Sequence, residues 1–262
     1  MTVSVVVATY NWPEALELSI KSLLVQSRLP DEIIVGDDGS GAETREVIER
    51  LRKISPVRIF HVWHEDKGFR LARIRNRAVL ASSGEYIIQI DGDIIAHPRF
   101  IEDHMRYAKR GCYLRGGRVM LGKTLTERLC RTREMKTLKP WSRGIEKKRW
   151  NALRLPWLGN YLADRYRLSQ YALGCNMSYF RCDFFAVNGY DEFFEGWGGE
   201  DSDYFRRLKL YGIKNRRLKF VGLTYHLWHR VASQYNHDRN KVYCERDSPA
   251  IRCINGAIKP KD

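Results

Sequence analysis

Two adjacent carboxylates follow a tryptophan and three glycines in the stretch Gly196-Trp197-Gly198-Gly199-Glu200-Asp201-Ser202-Asp203. Glycine lets the backbone approach a ligand closely, tryptophan offers an apolar face with one hydrogen-bond donor, and paired carboxylates can divide acid, base and metal-binding roles. Acidic residues at the start of a helix are also stabilised by the helix dipole, by roughly 0.3–1 kcal/mol. That structural role accounts for Glu200 and Asp201 but not for Trp197 and the glycines, so the stretch is a candidate active site.

A second acidic cluster, Asp91-Gly92-Asp93, directly follows the apolar run at residues 86–90. Carboxylates at the end of a strand can hold a hard cation that bridges two phosphates, although Asp and Gly also favour simple turns. The position after a buried strand favours the cation site. Asp201 and Asp203 have the same spacing, but residues two apart on a helix do not share a face, which argues against a metal site there.

Two late histidines, His226 and His229, are candidates to complete a metal site begun by Asp93. Imidazole ligands would suit Mn²⁺ or another first-row ion better than Mg²⁺. In an ideal strand, residues three apart point to opposite faces, so joint ligation requires a turn or bulge. The alternative is that one or both histidines are hydrogen-bonded within the core. We expect at least one of them to be a ligand.

The elements that must position these residues alternate regularly in the first half of the chain. Continuous apolar and β-branched runs predict strands at residues 3–8, 31–36, 57–62 and 86–90, and a helix is predicted at 71–81. Such alternation predicts an α/β fold with a Rossmann-like, mostly parallel central sheet flanked by helices.

Three of these strands end in polar or acidic residues, at 9–11, 37–40 and 91–93. Ligands of open α/β sheets bind beyond the carboxyl ends of the strands, so these three ends should line one crevice. Five cations follow the third strand and could neutralise a diphosphate leaving group, or could form a merely basic helix face. They are Lys67, Arg70, Arg73, Arg75 and Arg77.

The second half of the chain is less regular. Its pattern predicts helices at residues 98–109 and 200–210, and strands at 113–121, 173–179 and 221–228. The last of these strands carries His226, and His229 follows its end directly. At 262 residues, the chain is long enough for one large α/β domain, and we predict one domain with an elaborated second half.

The net charge of +15 is concentrated in what we call the basic segment, residues 115–170. Residues 115–167 contain fifteen Lys/Arg and four Asp/Glu, and so supply most of the excess. The segment could bind the phosphates of an anionic membrane or of nucleic acid, or could be a solvated basic face. Large aromatic residues interleave with the charges: Trp141, Trp150, Trp157 and Tyr161.

The sequence also bears on the cellular compartment. No apolar run approaches the roughly eighteen residues of a membrane span, and the N-terminus lacks the charged head of a secretory signal. The six cysteines form no CxxC pair, which favours reduced thiols. We therefore expect a cytoplasmic protein.

Several motifs in their order resemble the inverting, nucleotide-sugar-dependent glycosyltransferases of family 2, which have the GT-A fold. The resemblance covers about residues 3–110, and residues 115–170 match no pattern of that family. A second resemblance, to the carboxyl-terminal module of galactosyltransferases and chondroitin-type polymerases, rests on Asn188-Gly189-Tyr190 and Gly196-Trp197-Gly198-Gly199-Glu200-Asp201. The family 2 motifs are Val5-Val6-Val7-Ala8-Thr9-Tyr10-Asn11, Ile34-Val35-Gly36-Asp37-Asp38-Gly39-Ser40, Arg75-Asn76 and Asp91-Gly92-Asp93.

The resemblance implies a role for each matching residue. Asp201 would be the catalytic base, and Asp93 with His229 and His226 would bind the metal, since the late ligands of related galactosyltransferases also lie three residues apart. Residues 1–110 would form the nucleotide-sugar-binding half of a GT-A domain, and residues 111–262 the acceptor-binding and catalytic half. The implied nucleotide-sugar-binding residues are Ala8, Thr9, Tyr10, Asn11, Asp38, Lys67, Arg75, Asp91, Gly92, Trp197, Gly198 and Glu200.

Within that set, Thr9 to Asn11 with Asp38 would hold the uracil and ribose. Asp91 would contact the ribose or the sugar. Trp197 and Gly198 would shape the sugar pocket, and Glu200 would bind sugar hydroxyls.

Together these observations predict a metal-dependent inverting transferase that moves a hexose or N-acetylhexosamine from a UDP-sugar to a glycan hydroxyl. Mn²⁺ or Mg²⁺ is the expected cofactor. The basic segment suggests a lipid-linked acceptor, such as a lipopolysaccharide or capsule chain, and a peripheral position on the cytoplasmic face of the inner membrane. A nucleic-acid-binding protein, a catalytically silent sugar-binding module and a nucleotidyltransferase are the alternatives.

Overall fold

The computed structural model of the protein describes residues 1–134, 136–163, 174–230, 233–246 and 250–260. Leu173 and part of the basic segment, residues 164–170, lie outside this description. The strands are β1 (Val3–Thr9), β2 (Glu32–Asp37), β3 (Arg58–Trp63), β4 (Tyr86–Asp91), β5 (Ile94–Ala96), β6 (Cys112–Arg115), β7 (Val119–Leu121), β8 (Ile145–Lys147), β9 (Asn176–Phe180), β10 (Lys214–Arg217) and β11 (Thr224–His226).

The helices agree with the sequence pattern in the first half and extend it in the second. They are α1 (Pro13–Leu24), α2 (Ala42–Ile54), α3 (Leu71–Ala81), α4 (Phe100–Tyr107), α5 (Lys123–Thr132), α6 (Pro156–Ala163), α7 (Arg181–Ala186), α8 (Glu200–Leu210) and α9 (His237–Cys244). A 3₁₀ turn covers Arg149–Ala152. Within the described ranges, no helix is long and apolar enough to cross a bilayer.

The central sheet confirms the predicted α/β fold. Among the described residues it has seven strands in the order β10-β6-β9-β4-β1-β2-β3. Strand β9 runs antiparallel to both of its neighbours, and the other pairs are parallel. Because β9 lies between β4 and β6, the second half of the chain adds its strands to the sheet that the first half begins.

The helices cover both faces of this sheet because the strands are apolar on both sides. All seven residues of β1 are buried. Apolar residues of α1, α2 and α4 pack on one face, against Val3, Val5 and Val7. Apolar residues of α3, α7 and α8 pack on the other face, against Val6 and Ile34.

The polar strand ends lie at one edge of the sheet, as predicted. In the parallel registers, Thr9 pairs with Asp37, and Ala8 pairs with Asp91. The ends of β1, β2 and β4 are therefore level with one another.

A small second sheet, with the order β5-β11-β7-β8 among the described residues, corrects two predictions. The single strand predicted at 113–121 is two strands, β6 and β7, in different sheets. The chain leaves the central sheet at Gly116, where an added Cβ would lie 2.3 Å from Asn176 Nδ2, so only glycine permits this close passage. The strand predicted at 221–228 is shorter, because pairing with β5 and β7 stops at His226.

Asn188 fixes the last described part of the chain to the core. Its Nδ2 donates to the carbonyls of Cys253 and Ile258, at 2.8 and 3.0 Å, and its Oδ1 accepts from the Ile258 amide at 2.8 Å. Asn188 therefore ties the segment at 253–258 to the turn that follows α7, and Tyr190 of the same motif lies under the Arg75 guanidinium, whose Cζ is 5.4 Å from the ring centre.

Candidate active site

Arg75 joins the two acidic clusters that the sequence places about a hundred residues apart. Its side chain projects from α3 and the residue is 1% exposed. Nη2 donates to Asp91 Oδ1 and Nη1 to Asp201 Oδ1, both at 2.9 Å, and Glu200 Oε1 lies 3.6 Å from Nη1. Loss of one member of such a buried ion pair typically costs about 3–5 kcal/mol, so Arg75 is needed to keep these carboxylates together.

The glycine-rich loop before α8 is held from two directions. The Gly196 amide donates to the Phe69 carbonyl at 2.8 Å, and the Trp197 amide donates to the Tyr235 carbonyl at 3.0 Å. Gly199, which immediately precedes the helix, has a φ of 95°, a conformation that favours glycine. The loop thereby places Asp201 in the first turn of α8.

Asp201 is oriented by two donors and stays accessible. Besides the contact with Arg75, its Oδ2 accepts a hydrogen bond from the Gly174 amide at 2.8 Å. The side chain is 20% exposed. A carboxylate has about four lone-pair positions. Asp201 can therefore still accept a proton, or a hydrogen bond from a hydroxyl group, on the crevice side.

The environment raises the pKa of two neighbouring carboxyl groups. Burial, reinforced by the charge of Asp201, raises the pKa of Glu200 to about 7. Burial also raises the pKa of Asp91, and the nearby charge of Asp93 adds to this effect despite the contact with Arg75. Glu200 can therefore both donate and accept hydrogen bonds near neutral pH, which suits contacts with sugar hydroxyls.

Asp93, His226 and His229 form a compact group beside this cluster. Both Nε2 atoms face Asp93 Oδ2, at 3.3 Å for His226 and 3.2 Å for His229. The two histidines share a side because β11 ends at His226, after which the Leu227 amide donates to the Asp93 carbonyl at 3.0 Å. The strand therefore does not continue to His229, and the opposite-face geometry of an ideal strand does not apply to this pair.

The donor set of this group fits a divalent first-row cation. One potential ligand atom from each residue lies within 4.8 Å of the others, and imidazole with carboxylate suits such ions. Asp93 Oδ1 and His226 Nδ1 are buried without a hydrogen-bond partner among the described residues. Burial lowers the pKa of His226, which favours the neutral imidazole that a metal needs.

Electrostatics within the group keep Asp93 charged. Burial opposes its ionisation, yet the hydrogen bond with His229 and the charges of the two histidines hold the pKa of Asp93 below the usual range. The same hydrogen bond raises the pKa of His229.

The residues expected to hold the nucleoside are fixed at the neighbouring strand ends. Asp38 is 3% exposed; its Oδ1 lies 2.6 Å from His64 Nε2 and its Oδ2 accepts from the Arg70 amide at 2.8 Å. The Tyr10 hydroxyl donates to Asp66 Oδ2 at 2.8 Å. These contacts leave the 48% exposed Tyr10 ring at the crevice edge.

Close backbone approach shapes the same edge around Asn11 and Gly92. Asn11 has a φ of 42°, and its Oδ1 accepts from the Gly41 amide at 3.0 Å. The Gly92 amide donates to the Ala8 carbonyl at 2.6 Å, and a Cβ added at Gly92 would lie 2.9 Å from Thr9 Oγ1.

Some predicted site residues are not joined to either cluster. The Lys67 side chain is 63% exposed, and its Nζ lies 3.0 Å from Glu65. Trp197 lies beside α9, with its ring centre 5.1 Å from that of His237. Conversely, the sequence pattern did not identify Gly174, whose amide donates to Asp201, or Arg118, whose Nη1 donates to Cys175 Sγ at 3.2 Å. Their only signals were a lone glycine and a Gly-Gly-Arg sequence.

The chain is similar to known glycosyltransferases over most of its length. Residues 4–163 match the family model described as glycosyl transferase family 2, and residues 160–230 match that described as N-terminal domain of galactosyltransferase. Validoxylamine A glucosyltransferase of Streptomyces hygroscopicus subsp. limoneus is 28% identical over 235 residues, which cover 80% of this chain and 48% of the relative. Chondroitin synthase of Escherichia coli is 25% identical over 239 residues, which cover 85% of this chain and 34% of the relative.

Solved structures show the same fold. A mannosyltransferase from Pyrobaculum calidifontis, in complex with GDP-Man and Mn²⁺, has a TM-score of 0.64 at 17% identity, covering 95% of this chain and 65% of that one. S. aureus TarS 1-349 in complex with UDP has a TM-score of 0.58 at 18% identity, covering 86% of this chain and 60% of that one.

The fold is thus that of the GT-A glycosyltransferases. The chain belongs to glycosyl transferase family 2, whose model matches more than half of its length. It spans about half the length of the curated glucosyltransferase relatives that it matches.

Proposed function

We propose that the protein is a metal-dependent, inverting glycosyltransferase that moves a hexose or N-acetylhexosamine from a UDP-sugar to a glycan hydroxyl. The observation that carries this proposal is the convergence of two groups at one sheet edge. Asp201 and Asp91 meet on Arg75, and Asp93 faces His226 and His229. A group that can take a proton beside a group that can hold a cation suits transfer from a nucleotide sugar.

The chain's residues would divide the reaction as follows. Asp201 accepts the proton of the acceptor hydroxyl while that oxygen bonds to the anomeric carbon, on the face opposite the diphosphate. The bond between the anomeric carbon and the diphosphate oxygen breaks, UDP leaves, and the configuration inverts. Glu200 binds sugar hydroxyls, and Trp197 with Gly198 bounds the sugar pocket.

Asp93, His226 and His229 would hold Mn²⁺, or Mg²⁺ less well, with Asp91 beside them. The ion supplies positive charge to the diphosphate when bound. Support for a divalent ion comes from the mannosyltransferase neighbour with Mn²⁺, and support for UDP from the TarS 1-349 complex. At the nucleoside end, Asp38 and the Thr9 to Asn11 turn would hold the uracil and ribose.

UDP release tests this function. We expect at least one of UDP-glucose, UDP-galactose, UDP-N-acetylglucosamine and UDP-N-acetylgalactosamine to be cleaved with Mn²⁺ present, since the base and cation groups lie together. A coupled assay for free UDP, with and without EDTA, measures the effect. Donor binding without cleavage would favour a silent sugar-binding module, and turnover indifferent to EDTA would contradict the metal site.

The basic segment supports the proposal of an acceptor carried on an anionic lipid. Trp141, Trp150 and Trp157 are 71%, 66% and 70% exposed, although large aromatic rings usually bury most of their surface. Arg149 Nη1 donates to the Pro140 carbonyl at 3.3 Å, which ties the segments that carry Trp141 and Trp150. Tryptophan beside lysine and arginine favours the membrane interface and anionic headgroups.

Vesicle sedimentation tests this surface. We expect the protein to sediment with vesicles containing phosphatidylglycerol and less with pure phosphatidylcholine, and added salt should weaken binding. Replacing Trp141, Trp150 and Trp157 together by serine should reduce binding roughly tenfold, because binding scales with the apolar area that enters the interface.

Tyr211→Ser is the matched control, since Tyr211 is 49% exposed and lies outside the basic segment. Binding that ignores lipid charge and salt, or an equal loss in the control, would refute the membrane surface. Salt-dependent retention of RNA or DNA without vesicle binding would favour nucleic acid instead.

A further inference from the structure

The cations that follow β3 do not converge on one diphosphate site. Lys67 pairs with Glu65 at the surface, and Arg73 Nε lies 3.9 Å from Glu192. The guanidinium of Arg75 contacts the carboxylates of Asp91 and Asp201. A departing UDP carries phosphate charge that one divalent cation neutralises only in part. A further positive group should therefore lie beside the cation site.

Arg118 occupies such a position, between the strand end that carries Asp91 and the strand that carries His226. It immediately precedes β7, in which Met120 pairs with His226. Its Nη1 donates to Cys175 Sγ at 3.2 Å. Since Ile90 pairs with Asn176 in the antiparallel β4–β9 register, Cys175 comes opposite Asp91.

The guanidinium of Arg118 is poorly satisfied in this position. It has five N–H donors, and its hydrogen bond to a protein side chain goes to a thiol, a weak acceptor. Its Nε is buried without a partner among the described residues. An unsatisfied buried donor typically costs about 1–3 kcal/mol, and more for a charged group. An acceptor that arrives with a ligand would remove this cost at Arg118.

The backbone around Arg118 is held in place for such a ligand. The Asn151 side chain, in the 3₁₀ turn of the basic segment, donates to the Arg118 carbonyl at 3.0 Å. On the other side, Asn176 Nδ2 donates to the Gly117 carbonyl at 2.9 Å. Both contacts fix the turn between β6 and β7 before any ligand binds.

We infer that Arg118 binds the phosphate oxygens of the nucleoside diphosphate, beside the cation site, and stabilises UDP as it leaves. A guanidinium matches two phosphate oxygens at once and keeps its charge at every working pH. This inference rests on the proposed nucleotide-sugar function and deepens it by naming a donor-binding residue that neither the sequence pattern nor the Arg75 cluster supplies.

Titration calorimetry with UDP and Mn²⁺ tests the inference. Arg118→Gln should weaken UDP binding about 10- to 100-fold, the range for one lost hydrogen-bonded charge, while uridine, measured by competition, should bind as it does to wild type. Arg118→Lys should fall between the two, since it keeps the charge and loses the fork. Arg45→Gln, at an exposed arginine of α2, is the control and should match wild type.

The possible results distinguish failure of the Arg118 assignment from failure of the proposed glycosyltransferase function. Unchanged UDP affinity in a folded Arg118→Gln variant would overturn the inference alone, as would equal losses for UDP and uridine, which indicate a structural role. If donor affinity is unchanged but the KM of a phosphate-bearing acceptor rises, Arg118 serves the acceptor and the inference is wrong. Wild-type protein that binds no UDP would overturn the proposed function and the inference with it.

Discussion

Asp201→Asn is expected to lower the rate of sugar transfer about 10³-fold, within the range of general acid–base catalysis. The substitution removes the group that takes the acceptor proton but keeps an oxygen that can accept from Arg75 or from the Gly174 amide. Two carboxylates, Asp91 and Glu200, remain near the buried guanidinium, so the variant should fold. UDP affinity should stay close to that of wild type because the cation site is untouched.

The neighbouring carboxyl group gives the sharpest control for this result. Glu200→Gln should raise the KM for the donor sugar, because it alters a contact with the sugar hydroxyls. It should lower kcat far less than Asp201→Asn does, because glutamine still forms hydrogen bonds with hydroxyls and the proposed base remains. Steady-state kinetics on both variants, with UDP binding measured alongside, distinguishes the catalytic base from the residue that binds sugar hydroxyls. Full turnover by Asp201→Asn, or a larger loss of kcat in Glu200→Gln, would contradict the assignment of Asp201 as the catalytic base.

Asp93→Ala is expected to raise the Mn²⁺ concentration for half-maximal turnover about 100-fold or more. Loss of a residue that merely supports a metal ligand typically costs 10- to 100-fold in affinity, and Asp93 faces both histidines directly. The variant also leaves the exposed His229 without the carboxylate that its Nε2 faces at 3.2 Å. Activity titrated with Mn²⁺ at fixed donor concentration measures the shift.

The histidines and a surface carboxylate complete the Asp93 experiment. His226→Ala and His229→Ala should each shift the Mn²⁺ titration in the same direction, because all three residues would share the ion. Glu46→Ala, at an exposed position of α2, removes an equal charge elsewhere and should leave the titration unchanged. A titration that is identical in Asp93→Ala and wild type would contradict metal binding at this group.

Local sequence predicted the parts of the site that depend on a single strand end. Asp91 and Asp93 follow a continuous buried run, and the parallel register with β1 brings Asp91 level with Ala8. The sequence also predicted that α8 begins at Glu200, because acidic residues typical of a helix start follow the glycine pair there. These features arise from neighbours in sequence, where hydrophobic pattern and turn residues decide the structure.

The features that the sequence did not predict depend on pairing between strands that are far apart in the chain. Nothing local shows that β9 returns between β4 and β6, and this return brings Gly174 to Asp201 and Cys175 to Arg118. Residues 113–121 resemble one strand in the sequence, but close packing of Gly116 against Asn176 divides them into two. The cations of α3 were placed by sequence proximity alone, but their partners lie in distant segments.

Protection against thermal unfolding by nucleotide sugars tests the central claim most directly, because a ligand that binds the folded state stabilises it in proportion to its affinity. The panel contains UDP-glucose, UDP-galactose, the two UDP-N-acetylhexosamines and GDP-mannose, each with and without Mn²⁺. The proposed site predicts that a UDP-sugar raises the unfolding temperature with Mn²⁺ and much less without it, and that Asp93→Ala loses the Mn²⁺-dependent part. No shift with any UDP-sugar, or a shift only with GDP-mannose, would contradict it.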